Sequence, residues 1–232
     1  MFLKWALPFV VLVTYQFCSA QEEDNTSDFY ATATNQHNTE YILACQKATP
    51  PEQEALIRAE LAWTDFSDKE KSLANALESG NLISSDYARW HGLAVVDART
   101  AHLRSFFIDY NINYPPQYTP ENRDRVLNET YAKFMLRMPK TDQALLRSSE
   151  TAWIAYRDAD IAAARAGSDS PKWRDAALIQ LAETRIEEIA SMMQALSQAT
   201  LPPVPAQAEP SPPPQGELPA PGRRESLGSI PS

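Results

Sequence analysis

The chain has 232 residues, of which 44% are hydrophobic, and a formal net charge of -9 at pH 7. Such acidity argues against a nucleic-acid partner, which needs a basic face, and suits a basic protein partner. With two cysteines and three scattered histidines (His37, His91, His102), no metal-ligand cluster is legible.

Residues Met1 to Ala20 read as a secretory signal. Lys4 supplies the positive start, Trp5 to Phe17 is apolar but too short to cross a bilayer, and Cys18-Ser19-Ala20 is a small-residue cleavage site. The mature chain then begins at Gln21, carries 20 basic against 30 acidic residues (-10), and is exported, periplasmic or secreted. No other apolar run is long enough to span a membrane. One cysteine, Cys45, remains after cleavage, so no internal disulfide is open to it. It reads as a buried free thiol, or as a thiol for an intermolecular bridge or redox chemistry.

Residues 21–37 are polar and weakly periodic, which predicts a flexible arm. Asn38 to Ala48 fits a short first helix with Tyr41, Ile42 and Cys45 on one side. Thr49-Pro50-Pro51-Glu52 is a helix start, with a capping threonine, a first-turn proline and a glutamate that completes a capping box. That helix runs to about Glu78, and Gly80-Asn81 ends it. Ser84 or Ser85 caps the next helix, which runs to about Tyr110 with Leu93, Val96, Thr100, Leu103, Phe107 and Tyr110 as its stripe.

Thr119-Pro120 repeats the cap-then-proline device and opens a helix with Leu127, Tyr131, Phe134 and Met138 on one face; Pro139 breaks it. Thr141 starts a helix with the stripe Leu146, Ser149, Trp153, Tyr156, Asp160 and Ala163, and Gly167 ends it. Ser170-Pro171 opens the last helix, whose stripe is Leu178, Leu181, Arg185, Ile189, Met192 and Leu196. Ten of the 32 residues from Leu201 onward are proline, which predicts a disordered, extended tail. The fold class is therefore all-α: a helical bundle of five to six helices over 38–111 and 119–199, flanked by the arm and a tail at 200–232.

Two stripes carry a charge that a core tolerates only when paired. Arg185 and Asp160 are the candidate polar pair, with Asp158 as the other carboxylate within reach. Arg157, one turn after Trp153, is placed to lie on that indole or to pair with an acid. The exposed side of the last helix offers Glu183, Glu187 and Glu188 as a candidate acidic interface, or simply a solvated face. No phosphate loop, nucleophile elbow, zinc-binding helix or cysteine–histidine couple is present. The reading is non-enzymatic, with no catalytic residue, cofactor or metal.

The two halves echo each other. Leu56, Glu60, Ala62, Trp63, Phe66 and Asp68 repeat as Leu146, Glu150, Ala152, Trp153, Tyr156 and Asp158, and Gly80 and Arg99 parallel Gly167 and Arg185. A degenerate internal duplication is one reading of this, and a chance helical echo is another.

Four elements stand in order: Leu127-Asn128 followed by Tyr131, then Ala152-Trp153 with Tyr156-Arg157-Asp158, then Gly167-Ser168, then Arg185. This set resembles the lysozyme-inhibitor LprI-like family of small exported helical domains, over about residues 119–199. The resemblance implies a helical binder that occludes a lysozyme, with these motif residues structural. It also implies a disulfide at positions that here read Ile161 and Ala177, and a threonine where Ala182 stands, so core packing must replace the staple. In another way, Cys45-x-x-Ala48-Thr49 with Glu52 is similar to the opening of family members. The alternative function is an envelope structural or protein-interaction module without lysozyme inhibition.

Overall fold

A computed structural model describes residues 26–105, 114–167 and 171–199. They form six helices: α1 (Thr26–Lys47), α2 (Pro50–Ser79), α3 (Ser85–Ser105), α4 (Pro120–Arg137), α5 (Gln143–Gly167) and α6 (Pro171–Ala199). There is no strand among the described residues. The signal at 1–20, Phe107 and Tyr110, the Ser170 cap and the proline-rich tail lie outside the described residues.

The helix starts follow the local chemistry. The Thr49 backbone N–H donates to the Glu52 carboxylate, one half of the capping box, with Pro50 opening α2. Thr119 Oγ1 accepts from the Asn122 N–H at 3.2 Å. Ser84, rather than Ser85, caps α3, its Oγ accepting the Tyr87 N–H at 3.1 Å. At the end of α2 the left-handed residue is Asn81 (φ 55°) and not Gly80. A short amide side chain tolerates that region better than most. Met138 is extended because Pro139 follows it.

Two glutamines close the turns between helices. Gln53 Nε2 donates to the carbonyls of Cys45 (2.8 Å) and Ala48 (3.2 Å), at the end of α1. Gln143 Nε2 donates to the carbonyls of Met135 (3.2 Å) and Met138 (3.4 Å), at the end of α4. Each satisfies carbonyls that a helix C-terminus leaves open.

Helices α2 and α5 pack along each other at the centre; α1 lies on α3, and α4 on α6. Both outer pairs run parallel. Tyr30 meets the Arg89 carbonyl (2.6 Å) and Glu40 meets Arg104 (2.8 Å), while Arg123 meets Glu183 (2.6 Å) and Arg137 meets Ser197 (3.1 Å). The main core joins Trp63, Phe66, Leu73 and Leu77 of α2 to Leu146, Trp153 and Tyr156 of α5, with Leu127 and Phe134 from α4 and Ile189 and Met192 from α6. Burying each large apolar side chain contributes roughly 1.5–3 kcal/mol. Ile161 and Ala177 both lie in this core, so apolar burial stands where the resemblance implies a disulfide. A second cluster joins Ala44 of α1, Ala48 just beyond it, Leu56 and Ala59 of α2, Leu103 of α3 and Ala163 of α5.

Two expectations change. The arm expected over 21–37 is helical from Thr26, and α1 is twice the length foreseen. Its buried side is Ala33, His37, Ala44 and Ala48, too small and too polar to register as an apolar stripe. In α3, Thr100 and Leu103 of the expected stripe are buried, Leu93 and Val96 are only half-buried, and His91, Val95, Arg99 and His102 are buried in addition. A stripe read from hydrophobicity alone passes over charged residues that are buried in pairs.

Candidate functional site

The stripe of α2 runs Leu56, Ala59, Trp63, Phe66, Glu70, Leu73, Leu77, and every member is buried. Glu70 therefore enters the core by register alone. Opposite it stands Arg185 of α6, fully buried, its Nη2 2.8 Å from Glu70 Oε1. The same guanidinium reaches Glu150 at 3.2 Å, Glu188 at 3.0 Å and Ser149 Oγ at 3.2 Å, and lies over the Phe66 ring. His91 Nε2 is 2.8 Å from the second Glu70 oxygen, and the Ser149 hydroxyl donates to the first.

A second network is built around Arg99 of α3, also fully buried. Its Nη1 is 2.6 Å from Asp160 Oδ1 of α5, and its Nη2 is 3.1 Å from Glu60 Oε2 of α2. Asp160 Oδ2 is 2.6 Å from His102 Nε2; Glu60 Oε1 is 2.9 Å from His37 Nε2, whose ring stacks on Trp63. Arg99 also lies over the Tyr156 ring and donates to its hydroxyl at 3.4 Å.

These surroundings act on the carboxyls in both senses. Burial alone would raise Glu70 and Asp160, yet both are held well below the usual carboxylate range. Arg185 and His91 do this for Glu70, and His102 and Arg99 for Asp160. Glu60 is lowered too, Arg99 and His37 outweighing its burial. For Glu150 and Glu188, burial prevails over Arg185 and pushes the carboxyl up.

The geometry is that of a clamp. Each guanidinium ties three helices, and its acids are spent on it. The cavity beside Arg99, lined by Trp63, Trp153, Tyr156 and Gln180 among others, is about 30 Å³, room for about one water. Among the described residues no group of three acidic, histidine or cysteine side chains is placed to hold a metal ion.

Residues 117–189 match the family model of lysozyme inhibitor LprI. The match covers α4, α5 and most of α6. No curated protein and no solved structure gives a significant match to the chain.

Within the matched segment the motif residues divide between core and surface. Leu127, Trp153, Tyr156 and Arg185 are buried, Tyr131 is half-buried, and Asn128 and Asp158 are exposed. Arg157 lies over the Trp153 indole, 5.4 Å from its centroid, and pairs with Asp158 (2.8 Å) and Asp124 (3.7 Å). Gly167 is the last residue of α5.

The pairing of Asp160 with Arg185 does not form. Both face the core, as the periodicity predicts, but Asp160 meets Arg99 and Arg185 meets Glu70. Arg99 and Glu70 lie in the other half of the chain from Asp160 and Arg185, where a stripe within one half cannot reveal them; from its own half Arg185 takes Glu150, a carboxylate on the Trp153 helix, and Glu188. The acidic face of α6 is also reduced. Glu188 turns inward to Arg185, Glu183 pairs with Arg123, and only Glu187 of the three is exposed. Cys45 is a half-buried free thiol; burial raises its pKa more than its hydrogen bond with Tyr41 lowers it, which quiets it as a nucleophile. Sequence reasoning missed Glu70 and the three histidines as core residues. For Glu70 the signal was present, since it falls in register between Phe66 and Leu73.

Proposed function

We propose that this chain is an exported protein that binds a lysozyme and covers its glycan cleft, so protecting a cell wall. The match of residues 117–189 to the lysozyme inhibitor LprI model carries this reading. Lysozyme cuts glycan between two carboxyl groups, so an inhibitor needs only to keep the sugar chain from lying between them. The acid excess of the chain supports a basic partner, because opposite net charge speeds encounter. Helix α5 turns Trp153 and Tyr156 into the core against α2. The lysozyme-facing surface in this reading is therefore the outer side of α4 and α6, where Glu121, Asp124, Glu129, Asp175 and Glu187 are exposed acids.

The test is sedimentation of the mature chain with a c-type lysozyme at physiological salt, with and without a chitooligosaccharide that fills the cleft. The expected result is a complex that the oligosaccharide displaces. A complex indifferent to the oligosaccharide would contradict occlusion of the cleft. Absence of a complex would contradict the reading for that class of lysozyme and favour an envelope interaction module.

A further inference from the structure

The family match ends within the second half of the chain, but the geometry does not. One constant step along the sequence carries Gln53 to Gln143, Glu60 to Glu150, Trp63 to Trp153, Phe66 to Tyr156 and Glu70 to Asp160. These are equivalent in role as well as in number. Gln53 and Gln143 each donate to two carbonyls at the end of the preceding helix, and the same step relates those carbonyls, Cys45 to Met135 and Ala48 to Met138. Glu60 and Glu150 each meet a guanidinium from the third helix of their own half. The pairing of helices repeats too, α1 on α3 as α4 on α6, both parallel, with α2 against α5 between them.

The buried arginines give the decisive relation. Arg99 in α3 takes Glu60 from its own half and Asp160 from the other; Arg185 in α6 takes Glu150 from its own half and Glu70 from the other. Exchanging the halves exchanges the two networks. A chance echo of helical patterns explains neither the paired turn glutamines nor this reciprocity.

We propose that residues 26–105 are a second, diverged copy of the LprI three-helix unit, and that the two copies form a self-complementary pair in which each copy's buried arginine is held by the other's central-helix carboxylate. Divergence has gone furthest outside this seam. The third helices align on their arginines, Arg99 with Arg185, by a step four residues shorter than that of the other helices. In that alignment His91, which stands on Glu70, corresponds to Ala177, and His102, which stands on Asp160, corresponds to Glu188, which stands on Arg185. The seam occupies α2 and α5, so a protein partner meets the outer helices, and the chain presents two versions of that outer face.

Two measurements test this, the first on the whole mature chain. In urea unfolding, Arg99→Met with Asp160→Asn, and Arg185→Met with Glu70→Gln, form two double-mutant cycles. The expected result is strong coupling in both, each double variant unfolding close to the midpoint of its worse single variant. Arg185→Met with Asp160→Asn should instead be additive. The second measurement uses a circular permutant that starts at residue 114 and joins residue 199 to residue 26 through a repeat of 106–119. Equivalent copies bring those two ends within the span of that linker, so the permutant should keep the helical circular dichroism and urea midpoint of the parent. Additive effects in either crossed pair, or a permutant that fails to fold, would overturn the proposal.

Discussion

Glu70 and Glu188 touch the same guanidinium and are shifted in opposite senses. Glu70 is locked between Arg185, His91 and Ser149, so its charge stabilises the fold. Glu188 is left with more burial than attraction, so its charge costs stability. Glu70→Gln should lower stability by about 3 kcal/mol, the lower end for a broken buried pair because Glu150 and Glu188 remain on Arg185. That corresponds to roughly 6–12 °C in Tm for a domain of this size. Glu188→Gln, which removes the charge and keeps a hydrogen-bonding side chain, should leave Tm unchanged or raise it. Thermal unfolding of both variants checks the contrast, and equal losses would contradict it.

The same groups set the pH dependence. For Glu70, Asp160 and Glu60 the folded-state pKa lies below the unfolded one. Their stabilisation is therefore fully present above the unfolded value, about pH 4, and is lost as pH falls further. For Glu150 and Glu188 the folded-state pKa is raised, so their charged forms subtract stability at neutral pH and protonation relieves this first. Urea midpoints should hold or rise slightly from pH 7 to about 5 and fall steeply below about 4. A midpoint that stays level down to about pH 3 would contradict the clamp. At this scale the sequence showed that Asp160 and Arg185 both face inward, because periodicity fixes the face. It did not show their partners, because Arg99 and Glu70 come from the distant half.

Helix α1 was the least legible element, and Gly92 of α3 shows how it is held. A side-chain carbon at Gly92 would collide with the Tyr30 hydroxyl, which donates to the Arg89 carbonyl at 2.6 Å. The close approach of α1 to α3 at this point thus depends on a missing methyl group. Gly92→Ala should cost about 1–3 kcal/mol by forcing the helices apart. Its cost should shrink in a Tyr30→Phe background, where the obstructing oxygen is gone. A double-mutant cycle by urea unfolding reads the effect, and an unchanged cost would sink this account of the α1–α3 seam. Other elements were plain in the sequence because their signals are local. The cap-then-proline pairs at Thr49 and Thr119 and the stop at Pro139 act within one turn of chain. The small, polar buried side of α1 gives no such signal.

For the whole molecule, an all-α bundle was legible from six periodic segments and the absence of strand patterns, but the interleaving of the halves was not. That α2 packs on α5 follows from long-range fit between two similar surfaces, which the echo of Trp63 in Trp153 suggests only once the arginines are seen to cross. The functional reading rests at this scale too, on an acidic chain in which residues 117–189 match the lysozyme inhibitor LprI model. The most direct measurement is a lysozyme activity titration on a cell-wall substrate with the mature chain, at low and at physiological salt. An inhibitor should abolish activity saturably near one to one, with the effect surviving physiological salt. Inhibition confined to low salt would reflect charge attraction alone, and that result, like no inhibition at all, would contradict the account for the lysozyme class used.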